Sequence, residues 1–232
     1  MKIILVGLSS SGKTTTAKYL ECHGIYKMID IDAKIKEKTH MTVREFYRKN
    51  GSDAFRKMEF DVLQECIFLK EEKYGGDDII ISTGGGLLEN KDAIFFLNNL
   101  KKKEGDKVKI FFLNSSLKTL WARISKKIKK NISSPSFTSM FVPAFLEEGV
   151  KNISLFKKCN TLQKKDIKSS FLLDEHGKKK ILRATKRYFK LIYKKRMTNL
   201  ALLDCIKIKV KNKSVVKIAR YIERVVLKDY KL

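Results

Sequence analysis

Gly7-Leu8-Ser9-Ser10-Ser11-Gly12-Lys13-Thr14 follows the apolar run Ile3-Ile4-Leu5-Val6 and matches the pattern G-x-x-x-x-G-K-[ST]. Each part has a chemical reason. Gly7 and Gly12 allow a tight turn and keep Cβ atoms away from a phosphate. The backbone N–H groups of Ser9, Ser10 and Ser11, and of the helix that opens through Thr15, then point at an anion. Lys13 adds a mobile positive charge for the β- and γ-phosphates, and Thr14 offers a hydroxyl to Mg²⁺. A strand-type run before the loop and a helix-compatible run after it supply the setting this pattern needs. The stretch reads as a nucleotide-phosphate loop.

Phosphoryl transfer further requires a metal anchor, a base for the acceptor hydroxyl and a cradle for the acceptor. In an open α/β sheet these groups belong at the carboxyl ends of strands beside the phosphate loop. Three stretches sit at such places. Asp30 and Asp32 are expected to end the second strand as neighbours in one crevice. One would hold metal through water while the other accepts a proton; alternatively either caps the helix that starts near Ala33, Asp32 above all. In Phe55-Arg56-Lys57-Met58-Glu59, Arg56 and Glu59 share a helix face and can pair, which would stiffen the Arg56 fork for a carboxylate. Taken alone that is a common surface ion pair. Thr83-Gly84-Gly85-Gly86 offers bare backbone to a small hydroxylated ligand or a phosphate, or is simply a flexible turn.

The elements that must position these groups are legible as alternating strands and helices. Strands are expected at Ile3–Val6, Tyr26–Ile29, Ile79–Ser82, Lys107–Leu113 and Asp204–Val210. Helices are expected at 15–22, 33–38, 43–50 (closed by Gly51), 52–73, 91–103, 116–127 and 214–227, the last with Ser214 as its N-cap. Strands separated by helices imply parallel pairing through right-handed crossovers. The expected fold is therefore α/β: a three-layer α/β/α domain of the P-loop NTPase type, with a five-stranded parallel sheet and a mobile lid. The polar, Lys-rich stretch 129–180 fits no element and reads as an insertion, either a mobile lid over the nucleotide or a disordered segment.

Composition narrows the partners. The 232 residues suit one domain with an insertion, and 51 Lys and Arg against 25 acids give a formal charge of +26. Such an excess favours anionic partners, although most of it is lysine on solvated faces. No aromatic-interleaved basic motif points to a specific nucleic acid. The four cysteines (Cys22, Cys66, Cys159, Cys205) form no C-x-x-C pair, and no apolar run approaches a membrane span. The first strand begins almost at once, without room for a leader, so a cytoplasmic, monomeric enzyme with no membrane partner is expected.

Taken together, the phosphate loop, Asp-x-Asp, Phe-Arg-x-x-Glu and triple glycine, in that order, resemble the shikimate kinase family. The closing Leu203-Asp204-Cys205-Ile206 with its final helix is similar too, so the likeness covers residues 1 to about 127 and about 181 to 227. The resemblance implies a single domain over 1–232, ATP and Mg²⁺ as cofactors, and transfer to the 3-hydroxyl of shikimate. By it, Lys13 and Thr14 handle the phosphates and metal, Asp30 helps the metal through water, and Asp32 binds the acceptor and acts as base. Arg56 with Gly84, Gly85 and Gly86 would hold shikimate, Glu59 would orient Arg56, and Arg123 would lie against adenine. Two places depart from the family. Its lid Arg-Pro-Leu-Leu is replaced by Lys130-Asn131-Ile132, so either Lys130 is the lid cation or the insertion has displaced that function. Its Arg-x-Pro-Leu-Tyr is replaced by Lys195-Arg196-Met197-Thr198-Asn199, so either Lys195 or Arg196 takes the substrate carboxylate. Gluconate-type kinases share the phosphate loop, and a nucleotide-binding module without turnover is the remaining alternative.

Overall fold

Ile3-Ile4-Leu5-Val6 and Ile79-Ile80-Ile81 are apolar at successive positions, so both faces of these strands must be covered, as in a parallel sheet between helices. The computed structural model, which describes residues 1–24, 26–68, 78–132, 143–150, 175–211 and 213–228, has that arrangement. Strands β1 (Lys2–Val6), β2 (Tyr26–Asp30), β3 (Asp78–Ser82), β4 (Val108–Asn114) and β5 (Ile206–Lys209) form one parallel sheet in the order β2-β3-β1-β4-β5. The helices are α1 (Lys13–His23), α2 (Ile31–Thr39), α3 (Val43–Phe68), α4 (Lys91–Glu104), α5 (Leu117–Ile132), α6 (Ala144–Glu147), α7 (Glu175–Leu200) and α8 (Val215–Lys228). On one face Ile3, Leu5, Phe111, Leu113 and Ile208 pack with Ala17 and Leu20 of α1 and Ile218, Ile222 and Val226 of α8. The alternate residues Ile4, Val6, Ile79, Ile81, Ile110 and Phe112 are buried on the other face.

Parallel strands place all their carboxyl ends at one edge. The register sets Ser82 level with both Leu5 and Asp30, so the loops after β1, β2 and β3 are neighbours. The chain leaves β1 toward β2 but leaves β4 toward β5, and these diverging exits open a crevice at that edge.

Local chemistry explains most helix ends. Thr42 and Glu45 form a reciprocal capping box at the start of α3: Thr42 N–H donates to the Glu45 carboxylate (2.8 Å) and Glu45 N–H to Thr42 Oγ1 (3.2 Å). Gly51, at φ 82°, breaks α3 where the sequence ends one helix and starts another. Asn90 Oδ1 caps α4 by accepting from Asp92 and Ala93, and Ser214 Oγ accepts from Lys217 at the start of α8. The expected extension of α3 to Lys73 lies outside the described residues.

One boundary is corrected. The second strand ends at Asp30 and helix α2 begins at Ile31, so Asp32 lies in a first helical turn instead of ending a strand. Asp30 is the cap: its Oδ1 accepts from Ala33 N–H at 3.2 Å. The cap role expected above all of Asp32 falls two residues earlier, on Asp30, and leaves the Asp32 carboxylate for other partners.

The chain divides into two units, Met1–Ser116 with Lys195–Leu232, and Leu117–Lys194. The first holds the sheet. Within the second, Leu120, Ile124 and Ile128 of α5 are buried, as are Leu146, Val150, and Ile181, Phe189 and Ile192 of α7, with Trp121 against Phe189 at 6.1 Å. Helix α7 begins inside the stretch read as an irregular insertion. Its buried positions Ile181, Thr185, Phe189, Ile192, Arg196 and Leu200 recur every three or four residues, a helical stripe that the surrounding lysines obscure. Residues 133–142 and 151–174, the larger part of the expected lid, lie outside the described residues.

Candidate active site

The phosphate loop is shaped by two left-handed residues, Ser10 (φ 65°) and Gly12 (φ 105°), and tightened by Ser11 N–H donating to Leu8 C=O at 3.1 Å. Helix α1 has no side-chain cap and no acid in its first turn, so its positive end is left for an anion. Lys13 lies buried along the loop, its Nζ donating to the carbonyls of Gly7 (2.8 Å) and Leu8 (3.2 Å). The buried hydroxyls of Ser11 and Thr16 have no hydrogen-bond partner among the described residues. A loop with a buried cation, orphaned hydroxyls and an uncapped helix start fits a polyphosphate. Gly7 is buried and closely packed: a Cβ there would sit 2.7 Å from Ser11 Oγ. Ser9 and Ser10 are half-exposed in the loop, and Thr15 is exposed on the first turn of α1.

Burial pushes the Lys13 ammonium down to about 8, against the pull of Asp32. An arriving phosphate restores its preference for the proton. Nucleotide binding at about pH 9 is therefore expected to take up close to one proton, and binding at about pH 7 close to none. Calorimetry in two buffers of different ionisation enthalpy reads this difference. Equal uptake at both values would remove Lys13 from the phosphates. The unliganded fold follows the same sign: the unfolded chain holds the extra proton between about 8 and 10.5, so this group's contribution to stability improves as pH rises through that window.

Beside the loop, Thr14 Oγ1 donates to Asp30 Oδ2 at 2.9 Å and lies 3.1 Å from Ser82 Oγ. These are hard oxygen donors, the set that suits Mg²⁺ together with phosphate oxygens and water. Asp32 is open to solvent at the mouth of the site yet crowded by protein. Desolvation and then the neighbouring Asp30 raise its pKa above the usual carboxylate range, opposed by Lys13 and Arg56. Solvent access tempers the shift.

The triple glycine is explained by space. A Cβ on Gly84 would strike Glu59 Oε1 and lie 3.3 Å from Asp32 Oδ1; on Gly85 it would lie 2.7 Å from Ser9 N; on Gly86 it would collide with the Arg56 guanidinium. The turn thus threads between Asp32, Glu59 and Arg56 and the phosphate loop, and Thr83 anchors it to β1 through Thr83 Oγ1 donating to Leu5 C=O at 2.9 Å. Glu59 is buried and pairs with Arg56. Burial raises the Glu59 carboxyl and Arg56 opposes it; the Arg56 guanidinium is pressed down by burial but raised on balance by Glu59 and Glu89.

Arg196, not Lys195, enters this network. Arg196 is fully buried and donates through Nε to Glu89 Oε1 at 2.7 Å, whereas Lys195 is exposed. Glu89 Oε2 in turn lies 3.5 Å from Arg56 Nε, so one carboxylate spans two arginines. Arg123 and Lys130 are exposed positions of α5 in the other unit. Two contributors escaped sequence reasoning. Ser82 is a polar end to an apolar strand, and Glu89 is an acid three positions beyond the triple glycine. Only the position beside glycines hinted at either.

The family model described as shikimate kinase matches residues 9–140. A shikimate kinase of Staphylococcus aureus (strain JH9) is 37% identical over 123 residues, which is 53% of this chain and 62% of that protein. The chain thus spans less than two thirds of the length of the curated relatives it matches. Among solved structures, a shikimate kinase from Bacteroides thetaiotaomicron aligns over 97% of this chain and 98% of its own, with a TM-score of 0.61 and 19% identity. One from Acinetobacter baumannii, in complex with shikimate, aligns over 98% and 93% with a TM-score of 0.55 and 18% identity. These likenesses support the fold, a five-stranded α/β sheet with a phosphate loop, and the family model covers more than half of the sequence. By its sequence this chain belongs to the shikimate kinase family.

Proposed function

We propose that the protein transfers the γ-phosphoryl group of ATP to the 3-hydroxyl of shikimate, giving shikimate 3-phosphate and ADP. The observation that carries this reading is the meeting of Arg56 and Arg196 at Glu89, with Asp32 and Glu59 both beside Gly84 and Asp32 within electrostatic reach of Lys13. Two planar guanidinium forks suit a carboxylate, and a base beside a phosphate loop suits a hydroxyl.

In this reading Mg-ATP supplies the phosphoryl group and the divalent charge that neutralises the phosphate oxygens. Lys13 and the loop amides hold the phosphates, while Thr14 and Asp30 would hold the metal. Asp32 accepts the proton of the attacking hydroxyl; Arg56, Arg196 and the turn at Gly84 to Gly86 hold the acceptor. Arg123 as the adenine contact, Lys130 as a lid cation and Lys195 as a second basic group complete the assignment. A monomeric, cytoplasmic enzyme that needs no nucleic-acid or membrane partner is part of it.

A coupled ADP-release assay with shikimate and with gluconate tests it. Turnover with shikimate and none with gluconate is expected; the reverse would reject the acceptor.

A further inference from the structure

The short turn after the triple glycine does more than connect β3 to α4. It is held from two directions. Asn90 Nδ2 donates to the main-chain carbonyl of Arg56 at 3.2 Å, and Asn199 Nδ2 donates to the carbonyl of Leu88 at 2.8 Å. Leu87 and Leu88 are buried beneath it, and Glu89 N–H closes the turn on Gly86 C=O at 2.8 Å. The same three-residue turn therefore grips the helix that carries Arg56 and the helix that carries Arg196, by backbone as well as by side chain.

We propose that Glu89 is a positioning residue for the acceptor site, a carboxylate clamp that sets the relative orientation of Arg56 and Arg196 so that both can meet one substrate carboxylate. Its Oε1 accepts a hydrogen bond from Arg196 Nε at 2.7 Å, and its Oε2 makes a looser ion pair with Arg56 Nε at 3.5 Å. At Arg196 the grip is at Nε, and a grip at that nitrogen decides the plane of the fork. Glu59 holds Arg56 from a second side. The facing charges are thus Arg56, Arg196, Glu59 and Glu89, with Lys195 nearby and Asp32 and Lys13 toward the phosphate loop. Two acids balance two arginines, so the site selects a carboxylate by the geometry of its forks more than by surplus positive charge. Burial presses the Glu89 carboxyl upward, but Arg196 and then Arg56 outweigh it and hold it below the usual range, so the clamp stays ionised through neutral pH. The carboxylate role of the arginine pair rests on the proposed function; the clamp itself rests on the contacts.

Two measurements on the full chain test this. In steady-state kinetics, Glu89→Gln is expected to raise KM for shikimate about 10- to 100-fold, the range for losing a hydrogen bond to a charged group, while kcat stays within about threefold. Glu89→Asp is expected to recover part of the loss. An unchanged or lower KM in folded Glu89→Gln, or a fall confined to kcat, overturns the positioning role. In denaturant unfolding, Glu89→Gln, Arg196→Met and the double variant form a cycle, and the single losses are expected not to add. Additive losses overturn the clamp whether or not shikimate is the acceptor. Wild-type protein that turns over no shikimate rejects the acceptor reading and leaves this coupling measurable.

Discussion

Replacing Asp32 by Asn is expected to lower kcat with shikimate by about 10²- to 10⁴-fold while the protein melts at a slightly higher temperature. The two effects share one cause. Asp32 stands in the first turn of α2, with desolvation and Asp30 both disfavouring its charge. A carboxylate held in that state is a better proton acceptor than a fully solvated one, and Asn cannot accept a proton at all. Because the folded-state pKa is raised, the stability from this group is fully present below its ordinary value of 3.8 and is lost as pH rises through the raised value. At neutral pH the charge is therefore a burden on the fold that Asn removes. The gain is small, since solvent reaches the carboxylate, and it fades as pH falls toward 3.8. For the wild type, kcat/KM is expected to fall on the acid side with a midpoint above the usual carboxylate range. Rate assays and thermal melts across pH read all three; an Asn variant with wild-type turnover would strip Asp32 of the base role.

Gly84→Ala is expected to reduce kcat/KM for the acceptor by about 10²- to 10³-fold, with nucleotide affinity kept within about twofold. The new Cβ would occupy the place of Glu59 Oε1 and crowd Asp32 Oδ1. Glu59 is buried and ion-paired to Arg56, so displacing it pulls on Arg56 and on the contact of Arg56 with Glu89. One methyl group thus disturbs the base and an arginine together. Gly85→Ala provides the contrast, because its Cβ would press on Ser9 N of the phosphate loop, and there nucleotide binding is expected to weaken as well. Separate titrations of nucleotide and acceptor distinguish the two. Equal loss of nucleotide affinity in both variants would contradict the division of labour along the turn.

These effects depend on contacts between elements far apart in the chain, and that governs how much was legible beforehand. The five strands, the break at Gly51 and the Ser214 cap follow from apolar runs and local hydrogen bonding, which adjacent residues decide. The Arg56–Glu59 pair was legible for the same reason, being one helical turn. The choice of Arg196 over Lys195 was not: both are basic neighbours, and only the packing of α7 turns one inward and leaves the other in water. Asp32 was misplaced on a strand because alternation over three residues cannot distinguish a strand end from the first turn of a capped helix.

The phosphate loop could be read from eight consecutive residues because its function resides in backbone shape, and local glycine and serine chemistry determines that shape. The order of motifs along the chain likewise identified the family. What only the tertiary structure decided is the cluster of Arg56, Glu89 and Arg196, in which Glu89 and Arg196 lie 107 positions apart and become partners. Residue type makes such an ion pair possible; burial, which removes competing water, determines which pair forms.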